Sequence, residues 1–155
     1  MESVTQQVIE IHPALAAKVN FACQQSSYPV LRDLRIENLS SERRLEGVVV
    51  KLIADPDFIK ARTWRVDRIE PGEVVTIRDR SIDLQGAFLL DLSDAVRGSV
   101  TLRVEHGQEI LREESVPIEV LAHNEWGGAG FMPELLGAFC TPNDPAVDRI
   151  LHTAA

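Results

Sequence analysis

"SVTLRVEHGQEILREESVPIEVL", Ser99 to Leu121, is the stretch that decides the fold class. Val100, Leu102 and Val104 alternate with Thr101, Arg103 and Glu105. This period of two turns one row of side chains inward and the other toward water. His106-Gly107-Gln108 then reverses the chain, and Val116, Ile118 and Val120 resume the alternation. Two such runs around a tight glycine turn predict an antiparallel pair with one wet face. Pro117 cannot donate a ladder hydrogen bond, so the second strand is expected at a sheet edge or beside a bulge.

The same period recurs upstream. Leu34 and Ile36 show it, as do Val48, Val50 and Leu52 in "GVVVKLIAD", Trp64 and Val66 in "RTWRV", and Val75 with Ile77. Val19, Phe21 and Cys23 fit it too, and so do Phe88, Leu90 and Leu92. Turn-forming clusters ("NLSSE", "DPD", "EPGE", "VRG") separate these runs. About eight short strands with no βαβ rhythm predict an all-β fold, an immunoglobulin/fibronectin-like antiparallel β-sandwich. A jelly roll or open barrel is the alternative architecture. In "DLSDAV", Ser93 or Asp94 is expected to cap a helical turn after the strand through Leu92.

The period changes after Leu121. Residues 1–121 therefore form the predicted sandwich, and 122–155 a C-terminal extension with short helices. Pro133 suits the first position of a helix over "PELLGAF". Asp144 and Pro145 then open a second helix, with Val147, Ile150 and Leu151 on one face.

The chain has 155 residues, 45% hydrophobic and 26% charged, which is enough for a core without metals or disulfides. A formal net charge of −8 argues against a nucleic-acid grip by the domain as a whole. Cys23 and Cys140 stand far apart without metal-ligand spacing. No leader and no membrane-length apolar run is visible, so the expectation is a cytoplasmic protein without membrane contact. Asn38-Leu39-Ser40 is a glycosylation sequon that matters only in a secretory pathway.

No catalytic constellation emerges, and no cofactor is expected. Cys140 has His123, His152, Asn143 and Asp144 near it in sequence, but it reads as a small apolar helix residue in "LLGAFC". The four histidines lack zinc-site spacing. Asp55 and Asp57 supply too few oxygens for calcium. Gly127 to Gly130 lacks the Lys-Ser or Lys-Thr of a phosphate loop. Trp126 reads as a cover over the open end of the core, with ligand stacking as the alternative. Arg78-Asp79-Arg80 reads as a solvated turn or strand face.

"PIEVLAHNEWGGAGFMPELLGAFCTPNDPAVDRIL", Pro117 to Leu151, resembles a segment near the N-terminus of large multidomain bacterial proteins. Those proteins carry a superfamily 1 DNA helicase core further along. The resemblance rests on Val120, Leu121, Ala122, Trp126, Gly127, Gly128, Pro133, Glu134, Leu135, Leu136, Ala138, Phe139, Pro142, Asn143, Pro145, Val147, Ile150 and Leu151. Gly137 stands where the family usually has alanine. "YPVLRDLRIEN" (28–38) and "WRVDRIEPGE" (64–73) are similar to the family's sandwich as well.

The resemblance implies an immunoglobulin-like, non-catalytic domain that positions or recruits. Its partners would be the following domains of the same polypeptide, or a partner protein. Trp126, Gly127, Gly128, Pro133, Leu136, Phe139, Pro142, Asn143, Ile150 and Leu151 would form the interdomain joint. The Walker motif of the motor does not occur in these 155 residues. Two alternatives remain open. One is an accessory nucleic-acid-binding module using "RDLR" and "RTWRVDR". The other is a sugar- or ligand-binding sandwich using Trp126 or Trp64.

Overall fold

Ser99–Leu121 folds as its alternation dictates. In the computed structural model, which describes residues 7–128, 132, 133, 135 and 149, strands β7 (Val96–His106) and β8 (Glu109–Val120) form an antiparallel hairpin. Gly107 takes φ +62° in the two-residue loop, a left-handed position that favours glycine. Val100, Leu102, Val104, Ile118 and Val120 are buried. The expected bulge exists, but it lies around Leu111, far from Pro117. Pro117 instead sits on an edge. The Glu119 and Leu121 amides donate outward, to Ala17 (3.0 Å) and Val19 (2.8 Å). Two residues earlier, the Pro117 nitrogen faces the same side, where no strand among the described residues covers β8, so its missing N–H leaves no ladder bond unmade there.

The remaining strands are β1 (Ile9–Leu15), β2 (Lys18–Val19), β3 (Leu31–Asn38), β4 (Leu45–Asp55), β5 (Arg62–Ile69) and β6 (Val74–Thr76). They build two sheets, β1-β3-β6 and β2-β8-β7-β4-β5. The inner rows of both sheets share one core, with Ile9, Ile11, Leu34 and Ile36 from the smaller and Val48, Val50, Leu52 and Trp64 from the larger. The fold is thus a mostly β, two-sheet, sandwich-like arrangement. Among the described residues, no helix is long and apolar enough to cross a membrane.

The first strand changes sheets midway. Ala16 still donates to Val30 beside β3 (2.8 Å), whereas the next carbonyl, Ala17, already accepts from Glu119 on β8. β2 then pairs with β8 in parallel, unlike every other strand pair described.

Two runs that alternate in the sequence are helical turns. Phe21–Gln25 forms α1, because Asn20 accepts the Cys23 amide (3.1 Å) and caps it. Gly86–Asp91 forms α2, which buries Leu89 and leaves Leu90 half exposed. The helical turn in that region therefore precedes Ser93 and Asp94, and neither residue caps it. β1 is a strand that the sequence does not announce, since Pro13 breaks up its apolar pattern.

Two positions carry unusual weight in the packing. Asn38 is completely buried, and its side-chain amide donates to the Arg43 (2.8 Å) and Ile69 (3.2 Å) carbonyls. Its Oδ1 accepts the Ser40 amide (3.1 Å). The sequon nitrogen is therefore consumed inside the fold and closed to a glycosyltransferase in the native state. Gly98 is the second position. A Cβ there would lie 2.8 Å from Phe58 Cε1 and 3.2 Å from the Asp55 carbonyl.

Candidate functional site

Where β8 ends, Leu121 and Ala122 are still buried, and Trp126 packs half-buried against the core. The Trp126 indole N–H donates to the Met132 carbonyl. Met132 and Leu135 themselves enter the core, at 1% and 3% exposure. Gly127 leaves room for the Met132 sulfur, which would stand 2.8 Å from a Cβ, and Gly128 adopts φ +90°. Asn20 ties this corner to α1, because its side-chain amide donates to the Glu125 carbonyl at 2.7 Å while its Oδ1 caps the helix. Pro133 and Leu135 lie in a 3₁₀ turn, and Pro133 is exposed. Leu136, Phe139, Pro142, Asn143, Ile150 and Leu151 lie outside the described residues, as does Cys140.

The second feature is a cleft of about 960 Å³ between the α1–β3 connection, the start of β3 and the segment after β6. Its walls carry Arg32, Lys60, Arg78 and Arg80 against two carboxylates, Asp79 and Asp83. Arg78-Asp79-Arg80 is thus cleft wall as well as solvated surface. The wall segment is strapped down from several sides. Ile77 donates to Leu34 (2.9 Å), the Trp64 indole to the Asp79 carbonyl (2.7 Å), and Lys60 to Asp83 through backbone (2.8 Å). Trp64 is only 7% exposed and lies under Arg62, so it presents no open face to a sugar.

Asp79 is held by the Ser81 hydroxyl (2.7 Å) and the Arg62 guanidinium (2.6 Å). Hydrogen bonding from Ser81 and then Arg62 lowers its pKa from 3.8 to about 2. In the unfolded chain Asp79 takes up its proton first as pH falls, so its stabilising contribution is complete above pH 3.8 and lost as pH drops through about 2. An NMR titration of the Asp79 side-chain carboxyl carbon should find its midpoint near 2, and Ser81→Ala should raise it. A midpoint at the ordinary value would show that the Ser81–Arg62 clasp does not hold in solution.

A third group escapes any reading of sequence spacing. Glu10 and His12 sit two apart on β1, and Glu37 lies directly opposite Glu10 on β3. The His12 Nε2 stands 2.9 Å from Glu37 and 3.7 Å from Glu10. The two carboxylates of this cross-strand pair thus share one imidazole neighbour. All three side chains are partly exposed. Asp55 and Asp57, by contrast, belong to no such group of three among the described residues.

On the outer face of the larger sheet, Lys51, Glu105, Arg103 and Glu113 form a chain of ion pairs. That face is solvated and charged. No protein-family model matches the chain, and no curated protein is significantly similar to it.

Proposed function

We propose that this chain is a non-catalytic positioning domain of a larger DNA helicase-related bacterial protein, with an immunoglobulin-like sandwich as its body. The observation that carries the reading is the anchored exit from β8. Trp126, Met132 and Leu135 pack on the core while Asn20 holds the Glu125 carbonyl. A chain that leaves a sandwich through core contacts transmits orientation, which a glycine-rich linker does not.

Strand order supports the immunoglobulin-like assignment. On this reading β1-β3-β6 would be strands A, B and E, and β8-β7-β4-β5 would be G, F, C and C′. Cys23 lies on α1 and not on a strand of either sheet.

The test is made on the native-length gene product. Six glycine/serine residues inserted after Gly128 should leave the sandwich folded and lower DNA-stimulated ATPase several-fold. An undiminished ATPase, or a gene product with none, would overturn the reading. Within the domain, Asn20→Ala should cost about 2 kcal/mol, because it removes a helix cap and strands the Glu125 carbonyl. Hydrogen exchange should then show Met132 and Leu135 losing protection before β7 does.

A further inference from the structure

We propose that the cleft between α1, the start of β3 and the 77–84 segment is a binding site for phosphate groups, recognised by Arg32, Lys60, Arg78 and Arg80. The argument begins with charge. In a chain carrying 24 acidic against 16 basic residues, most cations should find a carboxylate. Arg35, Arg43, Arg44, Lys51, Arg62, Arg68 and Arg103 do so. Among the described residues, seven cations make no ion pair; Arg65, Arg97 and Arg112 lie apart, whereas Arg32, Lys60, Arg78 and Arg80 line one cavity. Four like charges gathered around fewer counter-charges repel one another. An anion between them relieves that repulsion.

Donor capacity remains after the protein's own contacts. Arg32 uses an N–H on the Tyr28 hydroxyl and lies over its ring, 5.6 Å from the centroid. Arg80 uses one on the Ile77 carbonyl at 3.1 Å. A guanidinium has five N–H donors in a planar fork that matches two phosphate oxygens at once. Asp79, between Arg78 and Arg80 in sequence, spends its carboxylate on Arg62 and Ser81. That leaves Asp83 as the wall's other carboxylate, opposing four cations.

The wall is also built before any ligand arrives. Ile59 pairs with Leu84, Gln85 donates to Phe58 (2.8 Å), and Ile77 is bonded to β3. A pre-ordered wall loses little freedom on binding. The cavity's volume falls in the range of small-molecule sites, enough for a nucleotide's phosphates or a short run of nucleic-acid backbone. Both sources present the same phosphoryl oxygens.

The experiment uses the 155-residue chain at low salt with two probes, inorganic tripolyphosphate and a thymidine oligonucleotide, followed by calorimetry and amide chemical shifts. Shifts should concentrate at Arg32, Lys60 and residues 78–83. Arg78→Gln and Lys60→Gln, whose side chains hold no other element in place, should each weaken binding about ten-fold, the scale of one hydrogen bond to a charged group. Arg65→Gln and Arg97→Gln remove equal charge outside the cleft and should change affinity little. If tripolyphosphate binds as tightly as the oligonucleotide, the site takes a nucleotide-like polyphosphate. If the oligonucleotide binds more tightly and loses affinity steeply with salt, the site takes nucleic-acid backbone. Should neither probe bind at millimolar concentration, or should Arg65→Gln and Arg97→Gln weaken binding as much as the cleft variants, the proposal is overturned.

Discussion

Gly98→Ala is expected to lower the stability of the fold by about 3 kcal/mol, at the upper end of overpacking effects. The reason is local. Gly98 lies in β7 opposite Ile118, and Phe58, fully buried, lays its ring edge over the Gly98 Cα. A methyl at 2.8 Å from Cε1 cannot be relieved by a small rotation, because the Asp55 carbonyl (3.2 Å) and Val120 Cγ2 (3.3 Å) close the other sides. Urea denaturation should show the midpoint falling with its slope unchanged. Phe58→Leu opens a small cavity of its own, yet it removes the obstacle. The double variant should therefore be more stable than the summed single effects by at least about 1 kcal/mol. Strict additivity would mean that the Phe58 ring is not what excludes a side chain at this position.

Asn38→Ala is expected to cost about 3–4 kcal/mol, since it strands two carbonyls and one amide that water cannot reach freely. The side chain bonds to Ser40, Arg43 and Ile69, and its backbone bonds to Gly72 and Glu73. It therefore joins the β3–β4 and β5–β6 turns. Hydrogen exchange should accelerate in both turns together. Asn38→Asp is nearly isosteric and still should not rescue stability. It keeps the acceptor for Ser40 but turns a buried negative oxygen toward two carbonyls. Its deficit should narrow as pH falls and the carboxyl gains a proton to donate. An Asp variant as stable as wild type at neutral pH would mean that the amide donors contribute nothing.

Asn38 also shows what the sequence conceals. "Asn-Leu-Ser" is visible as a surface signal, whereas the fold uses the same residue as an internal clasp. Val100, Leu102 and Val104 were legible because a half-buried strand repeats over enough residues for period two to stand clear. Phe21 and Cys23, or Phe88 and Leu90, offer only one turn's worth of pattern. At that length alternation and helix coincide, and the Asn20 cap was the better signal. β1 was obscured by Pro13 and by having only Ile9 and Ile11 as a clean apolar pair.

The candidate site divides along the same line. Trp126 covering a core end follows from its size and its glycine neighbours. The indole bond to Met132 and the Asn20 tether depend on contacts between distant segments, and these leave no periodic trace. The cleft was less legible still. Arg32 comes from β3, Lys60 from the β4–β5 connection, and Arg78 and Arg80 from beyond β6. They meet because β3 pairs with β6 and Ile59 with Leu84. Net charge averages such a patch away.

The sheet-switching first strand bears on how the domain responds to mechanical tension. β2 and β8 run parallel, so a pull on the segment before β2 against the segment after β8 slides the two strands past each other. The Ala17–Glu119 and Val19–Leu121 bonds are then loaded in shear, together, whereas an antiparallel pair pulled from one end opens bond by bond. Resistance to such a pull is set by the rate of crossing the unfolding barrier and not by equilibrium stability. The domain would thus keep its shape under such a load through two strand ends and an Ala-Ala crossing.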